Sequence, residues 1–290
     1  SEDGTGASPE FPQGDHFTQI FLDLERTFPD TVFFVRNGPF FDDLYEVLWA
    51  YATVRPTIGY VQGMSYTAAL FLLYMTPYKA FRCLVNQLDR AHFPIFLMLD
   101  VPIISRYCRA FIVMHCRESP KVAARLRNLG VEYRQFLLQW WMTCFAHILP
   151  TPLASRAWDV LVVRGLEGLF QVTLGVMNAL SKQLMILTWE DIMQQMTHLD
   201  EHLALIDMDK VLSYGLKAEV NAADVAIIVD TPLPDIPEGQ EDVWLVGKEV
   251  PAALGLRVQL RSDLESQGHG TVTQVDSNGQ GTVVVTWDNG

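Results

Sequence analysis

The stretch Ile20-Phe21-Leu22-Asp23-Leu24-Glu25-Arg26-Thr27-Phe28-Pro29 combines apolar residues at helical spacing with charged residues three positions apart. Ile20 and Leu24 stand four residues apart, which places both on one face of a helix. On that helix Asp23 and Arg26 would be neighbours, so the carboxylate could hold the guanidinium in one orientation. The closing proline cannot continue the helix. The stretch predicts an amphipathic helix that ends in an oriented arginine.

A second stretch, Ile58-Gly59-Tyr60-Val61-Gln62-Gly63-Met64, follows Pro56 and precedes an apolar run. It predicts a turn that carries Gln62 between two glycines, just before the next helix begins. Glycine lets the backbone approach a ligand closely, and binding residues are often found on such loops. Gln62 is therefore a second candidate functional residue.

Helical apolar spacing recurs from Phe17 to about Lys217 and predicts an all-α domain of roughly nine helices. Hydroxyl residues before prolines mark expected helix starts, and glycines mark expected helix ends. The expected starts are Thr76-Pro77, Ser119-Pro120, Thr151-Pro152 and Thr188, and the expected ends are Gly130 and Gly165.

After about Glu219 the sequence becomes proline-rich and acidic without a helical period, which predicts a surface linker. The segments Leu256–Leu260, Thr271–Val275 and Thr282–Trp287 are rich in Val and Thr and predict a small β module. The predicted organisation is an N-terminal extension (1–16), a helical domain (17–218), a linker (219–254) and the β module (255–290).

Composition excludes several classes of function. The 21 Lys and Arg against 34 Asp and Glu give a net charge of −13, which argues against nucleic acid as a partner. The 4 cysteines form no CxxC pair, as is typical of core thiols in a reducing compartment. Two long stretches contain no charged residue, one between Arg55 and Lys79 and one between Arg134 and Arg156. Proline, glycine and polar residues interrupt both, so no transmembrane segment is expected. With no secretory signal visible, a cytoplasmic location is predicted.

One local run departs from the acidic balance. Between Arg106 and Arg134, seven basic residues face only Glu118 and Glu132. This surplus could meet an acidic partner or anionic lipid, or it could lie on the solvated faces of two helices.

Together, the two quoted stretches resemble the TBC domain of Rab GTPase-activating proteins, whose signatures are I-x-x-D-x-x-R and Y-x-Q-G in that order. Arg156-Ala157-Trp158-Asp159 resembles the family's R-x-W-D stretch. The resemblance covers about Phe17 to Lys217, and two motifs in the right order are far more specific than either alone.

The resemblance implies that Arg26 acts as an arginine finger and Gln62 as a glutamine finger on a partner GTPase in its GTP form. Asp23 would orient Arg26. Ile20, Tyr60 and Gly63 would support the site or contact the partner. The scaffold residues implied are Arg156, Trp158 and Asp159. The chain would need no cofactor of its own and would catalyse no independent reaction, because the partner carries GTP and Mg²⁺. Regulation of vesicle traffic, peripheral to a membrane compartment, is the expected role.

Other readings of these residues stay open at this point. Asp23 and Arg26 could form a plain surface ion pair, with Gln62 an ordinary turn residue. A chain that keeps the fold but not the catalysis would be a Rab-binding effector or scaffold.

Two further patterns lie toward the C-terminus. His198-Leu199-Asp200-Glu201-His202 matches the H-x-x-E-H zinc-peptidase pattern. A zinc site would need a third carboxylate ligand from the proline-rich segment or the β module, neither of which resembles a zinc-peptidase scaffold, so two solvated helix histidines are the better explanation. We therefore expect no metal site. Gly270-Thr271-Val272 and the run from Gly281 to Gly290 resemble the small β-barrel module of Mind-bomb and HERC-type ubiquitin ligases.

Overall fold

The computed structural model describes residues 15–29, 31–90, 92–199 and 207–230, and the backbone of three C-terminal strands. The chain divides into two compact units. One contains Ser1–Met98 with Met142–His147, and the other contains Leu99–Trp141 with Ile148–Gly290. The first unit, and the second unit as far as residue 230, are helical where the structure describes them, which confirms the predicted all-α fold.

The first unit contains five helices, of which the third is almost completely buried. Its helices are α1 (Asp15–Leu24), α2 (Phe41–Val54), α3 (Met64–Leu72), α4 (Pro77–Leu88) and α5 (Phe93–Leu97). Helix α2 packs on α1, α3 and α4. In α3 every residue except Tyr66 is buried, as expected for a helix that is apolar on all sides.

The second unit centres on the longest described helix. Its helices are α6 (Val101–Glu118), α7 (Pro120–Asn128), α8 (Arg134–Met142), α9 (Thr151–Arg164), α10 (Leu166–Leu184), α11 (Trp189–Thr197), α12 (Met208–Gly215) and α13 (Ala222–Asp230). Helix α10 packs on α9 and α12 and also contacts α6 and α7. A Cβ at Gly215 would lie 2.1 Å from the carbonyl oxygen of Gln171, so α10 and α12 require glycine to approach this closely.

The helix boundaries agree only partly with the sequence prediction. Thr188 caps α11 by accepting a hydrogen bond from the amide of Asp191, and Gly130 follows α7 with a positive φ of 71°. Thr76 and Ser119 precede helices, but neither side chain makes a capping hydrogen bond. Thr151 lies inside α9, and Pro150 occupies the N-cap position.

The predicted number of helices was too low, because the described residues alone contain thirteen. The apolar spacing in the sequence does not separate short helices from their neighbours. Helices α6 and α7, for example, meet at Ser119, which ends one and precedes the other. At Gly165 the backbone has φ 58° and ψ −126°, which is a glycine conformation but not the expected left-handed helical one.

Helix α13 lies in the segment that was predicted to be a linker. It packs on α6, and its first turn is stabilised by Asn221, whose side chain accepts a hydrogen bond from the amide of Ala223 at 2.9 Å. Three of its residues are buried, namely Val225, Ile228 and Val229. This Asn cap and the i, i+3, i+4 spacing were the sequence signals for a helix, but the helix is short and its neighbours are rich in proline.

The basic run of α6 serves this packing. Arg109 is buried and donates to the carbonyl oxygen of Ile228 at 2.5 Å, and Arg106 donates to that of Val229 at 3.3 Å. Arg117 donates to the carbonyl oxygen of Glu219. Cations at the carboxyl end of a helix are favourable because they meet its unpaired carbonyls. Arg106 and Arg109 therefore hold the carboxyl end of α13 on α6, whereas Arg117 binds the segment that precedes α13. Of the two alternatives for the basic run, solvated helix faces do not apply to Arg109, which is buried.

The C-terminal strands are β1 (Arg257–Gln259), β2 (His269–Val275) and β3 (Val283–Trp287). They form an antiparallel sheet in the order β1-β2-β3, with an irregular register between Val272 and Gln274. The remaining residues from 231 onward, including most of the predicted linker, lie outside the described residues. The predicted domain boundaries and the β-barrel resemblance stay predictions.

Within the described ranges, no helix is both long enough and apolar enough to span a membrane.

Candidate functional site

The carboxyl end of α1 presents Arg26 to solvent. Helix α1 ends at Leu24, and the chain then tightens, because the amide of Arg26 donates to the carbonyl of Asp23 at 3.3 Å and that of Thr27 to Leu24 at 3.1 Å. The side chain of Arg26 remains 51% exposed, whereas that of Asp23 is only 2% exposed. The arginine therefore stands on a compact turn above a buried carboxylate.

The carboxylate of Asp23 has a partner on each oxygen. Its Oδ1 accepts from the Arg26 guanidinium and from Gln19 Nε2 at 3.3 Å. Its Oδ2 accepts from the hydroxyl of Tyr60 at 2.5 Å. A buried carboxylate is tolerated only when its oxygens are paired in this way. Asp23 thus connects the arginine of the first motif to the tyrosine of the second.

Tyr60 is buried, and its environment keeps its hydroxyl protonated. Burial is the largest cause of its raised pKa, and the hydrogen bond to Asp23 and the negative charge of that carboxylate raise the pKa further. Tyr60 therefore acts as a permanent donor to Asp23. Its position two residues before Gln62 connects the glutamine turn to the same carboxylate.

Gln62 lies on the predicted turn between α2 and α3. Gly59 and Gly63 both have positive φ, at 65° and 98°, and the amide of Met64 donates to the carbonyl of Val61 at 3.1 Å. Gln62 is exposed, and among the described residues its side chain has no hydrogen-bond partner. A Cβ at Gly63 would lie 3.1 Å from Cγ2 of Thr143. The turn therefore needs glycine both for its backbone conformation and for space.

The structure adds three residues to the site that the motifs did not indicate. The hydroxyl of Thr27 lies 2.7 Å from the carbonyl oxygen of Asp23 and 2.7 Å from Oγ of Ser65. The hydroxyl of Tyr66 donates to the carbonyl oxygen of Arg26 at 2.7 Å. Ser65 and Tyr66 follow the glutamine turn directly, but only the folded chain brings them to the end of α1. The contact between Thr27 and Asp23 is local, four residues apart, and is typical of a threonine near a helix end. No local sequence signal could have identified the contacts that Ser65 and Tyr66 make.

The Rab-GTPase-TBC domain family matches residues 8–185, which is more than half of the 290 residues. The chain belongs to this family. The two motifs that carry the resemblance, from Ile20 to Arg26 and from Tyr60 to Gly63, both fall within the matched part.

Two known proteins are similar to this chain in sequence. The chain is similar to TBC1 domain family member 14 of Bos taurus, with 35% identity over 63% of the chain and 27% of that protein. It is similar to Drainin of Dictyostelium discoideum, with 31% identity over 59% of the chain and 39% of that protein. The chain therefore spans well under half the length of these relatives.

Two solved structures share the fold of this TBC domain. The Chlamydomonas flagellar RabGAP TBC domain aligns with a TM-score of 0.62 and 20% identity, covering 71% of this chain and 68% of that one. The Ypt/Rab-GAP domain of Gyp1p aligns with a TM-score of 0.57 and 18% identity, covering 69% and 72% respectively. At these identities the likeness concerns the fold alone.

The other predicted residues of the TBC domain are either buried in helices or lie on the surface of α9. Ile20 is completely buried in α1, so it supports the helix and does not face a partner. Trp158 is buried in α9 and Asp159 is exposed. Arg156 pairs with Asp209 on α12 at 2.7 Å, and both side chains are largely exposed. This is a surface ion pair that contributes little to stability.

The H-x-x-E-H pattern lies mostly outside the described residues, since Asp200, Glu201 and His202 are among those not described. His198 is exposed and its Nδ1 lies 3.2 Å from the carbonyl oxygen of Gln194. Over the described part of the TBC domain, no cluster of three potential metal ligands occurs.

Proposed function

We propose that this TBC domain is a GTPase-activating protein for a small Rab-type GTPase in its GTP form. The observation that carries the proposal is the pairing of a half-exposed Arg26 with a buried Asp23 that also binds Tyr60, two residues before an exposed Gln62. Membership of the Rab-GTPase-TBC family and the names of the two structural neighbours support it.

Arg26 is proposed to stabilise the transition state of GTP hydrolysis. Negative charge spreads over the phosphate oxygens as the reaction proceeds, and an arginine supplied in trans accelerates hydrolysis by about 10³ to 10⁵. The planar guanidinium presents a rigid fork of N–H donors that can bind two oxygens bidentately, a geometry that the compact ammonium of lysine does not offer. Because Asp23 holds one side of the guanidinium, less conformational freedom is lost when Arg26 enters the active site of the GTPase.

Gln62 is proposed to orient the attacking water. A water-positioning glutamine is a recurring part of GTPase active sites. The exposed Gln62 side chain, without a partner in the described part of the domain, is free to enter the partner's site. Nucleotide and Mg²⁺ are proposed to arrive with the GTPase, which would also bring the TBC domain to the membrane where vesicle traffic is regulated.

The test is single-turnover GTP hydrolysis by a panel of GTP-loaded Rab-type GTPases, with and without the chain. We expect at least one GTPase to be accelerated, and Arg26→Ala to remove about 10³-fold of that acceleration. Gln62→Ala is expected to reduce it strongly as well. Arg82→Ala on α4 and Gln135→Ala on α8 are matched controls, since both side chains are exposed.

Binding measurements on the same panel separate activation from the effector alternative. A GTPase that binds in its GTP form but is not accelerated would contradict the proposal and favour a Rab-binding scaffold. Equal acceleration by wild type and Arg26→Ala would contradict the role of Arg26.

A further inference from the structure

Tyr66 joins the two parts of the candidate site through its side chain. Its hydroxyl donates to the carbonyl oxygen of Arg26 at 2.7 Å, while its own amide donates to the carbonyl of Gly63 at 3.2 Å. Gly63 directly follows Gln62 in the chain. A single residue thus contacts the main chain of Arg26 and the turn that carries Gln62.

The ring of Tyr66 is held from two sides. Phe28 lies edge-on to it with ring centroids 5.3 Å apart, and His147 lies edge-on at 4.4 Å. The remainder of α3 is buried, so the helix that carries Tyr66 is fixed in the core. Because both the ring and its helix are fixed, the hydroxyl is a rigid donor for the turn at Arg26.

We infer that Tyr66 is a positioning residue that sets the placement of Arg26 relative to Gln62. This inference rests on the proposed function. The amide of Arg26 donates a hydrogen bond to the carbonyl of Asp23, and its carbonyl accepts one from Tyr66. Its side chain is held by the carboxylate of Asp23. Of these contacts, only the one from Tyr66 connects Arg26 to the first turn of α3, which follows the glutamine turn.

The expected effect is on the rate of the chemical step and not on binding. Reacting groups must be held close to their productive geometry, and a displacement of about 1 Å can cost about a hundredfold in rate. Tyr66→Phe keeps the ring and removes only the hydroxyl. We expect it to lower the maximal rate of activated hydrolysis by about tenfold, with the half-saturating concentration of the chain unchanged.

The experiment measures single-turnover hydrolysis over a range of concentrations for wild type, Tyr66→Phe and Tyr78→Phe. Tyr78 is an exposed tyrosine on α4 and serves as the matched control. Tyr66→Phe is also combined with Arg26→Ala. In that background we expect no further loss, because a positioning residue acts only through the group it positions. A further loss of rate, or a higher half-saturating concentration at an unchanged maximal rate, would overturn the inference.

Amide hydrogen exchange tests the contact without any partner GTPase. In Tyr66→Phe the amides of Arg26 and Thr27 should exchange faster than in wild type. In Tyr78→Phe the same two amides should exchange at the wild-type rate. Unchanged exchange would overturn the inference even if activation is observed. If wild type activates no GTPase, the proposed function fails and the positioning role of Tyr66 in that reaction fails with it, while the exchange data still decide whether Tyr66 holds the turn.

Discussion

The hydroxyl of Tyr60 lies 2.5 Å from Oδ2 of Asp23, on the carboxylate whose other oxygen accepts the Arg26 guanidinium. The two residues are separated by 37 positions in the chain and belong to the two different motifs. A buried carboxylate with two such partners has one favourable orientation. The first motif therefore depends on the second for the orientation of its arginine.

Removing the Tyr60 hydroxyl should weaken both stability and activation. In Tyr60→Phe one oxygen of the buried Asp23 loses its donor, which is expected to cost about 1–3 kcal/mol in the free energy of unfolding. Urea denaturation measures this loss, and Tyr78→Phe is the exposed control. A variant as stable as wild type would show that water or another donor replaces Tyr60.

Gly63→Ala should impair the glutamine turn. The positive φ of 98° disfavours alanine by about 1–3 kcal/mol, and the added Cβ would press on Thr143. Gly130→Ala is the matched control, because its φ is 71° but no atom lies within 4 Å of the added Cβ. We expect both variants to lose stability in thermal melting, but only Gly63→Ala to lose activated GTP hydrolysis. Equal hydrolysis by both would show that the turn tolerates the change.

Stability should fall at acidic pH through His115. This histidine is completely buried beside Tyr133, whose hydroxyl lies 2.8 Å from Nδ1, and burial lowers its pKa from 6.5 to about 4. The unfolded chain therefore binds a proton between pH 6.5 and 4 that the folded chain does not bind. The free energy of unfolding is therefore highest above pH 6.5. It falls by about 3 kcal/mol as the pH drops from 6.5 to 4.

Denaturation at a series of pH values measures this change. His115→Gln cannot take up the proton and should lose this part of the pH dependence, whatever its stability at neutral pH. An identical pH profile for the variant would assign the acid sensitivity to other groups.

Arg109→Ala should release α13 from α6. The buried guanidinium donates to the carbonyl of Ile228 near the end of α13, and its loss is expected to cost about 2 kcal/mol. Hydrogen exchange should rise in residues 222–230 more than elsewhere in the second unit. The exposed Arg82→Ala should leave this exchange unchanged. If α13 stays equally protected in Arg109→Ala, Arg106 and apolar packing alone would be sufficient to hold it.

Local sequence signals predicted the parts of the site that depend on neighbouring residues. The Asp23–Arg26 pair follows from helical spacing, and the Gln62 turn follows from two glycines. The helix itself ends at Leu24, two residues before the arginine at which the sequence predicts its end. Tyr66 could not be predicted in the same way. Its contact with Arg26 joins residues 40 positions apart, and the packing of α3 against α1 creates it.

The sequence by itself determined that the chain is helical from Phe17 to about Lys217 and where the two motifs stand, because periodicity and turn chemistry act over a few residues. Only the tertiary structure decided which donors complete the Asp23 carboxylate and where the arginines of α6 are directed. Those arginines bind the carbonyls of α13, a helix that the sequence pattern placed in a linker. Such pairings are selected by the burial of polar groups, and burial exists only once distant segments have packed together.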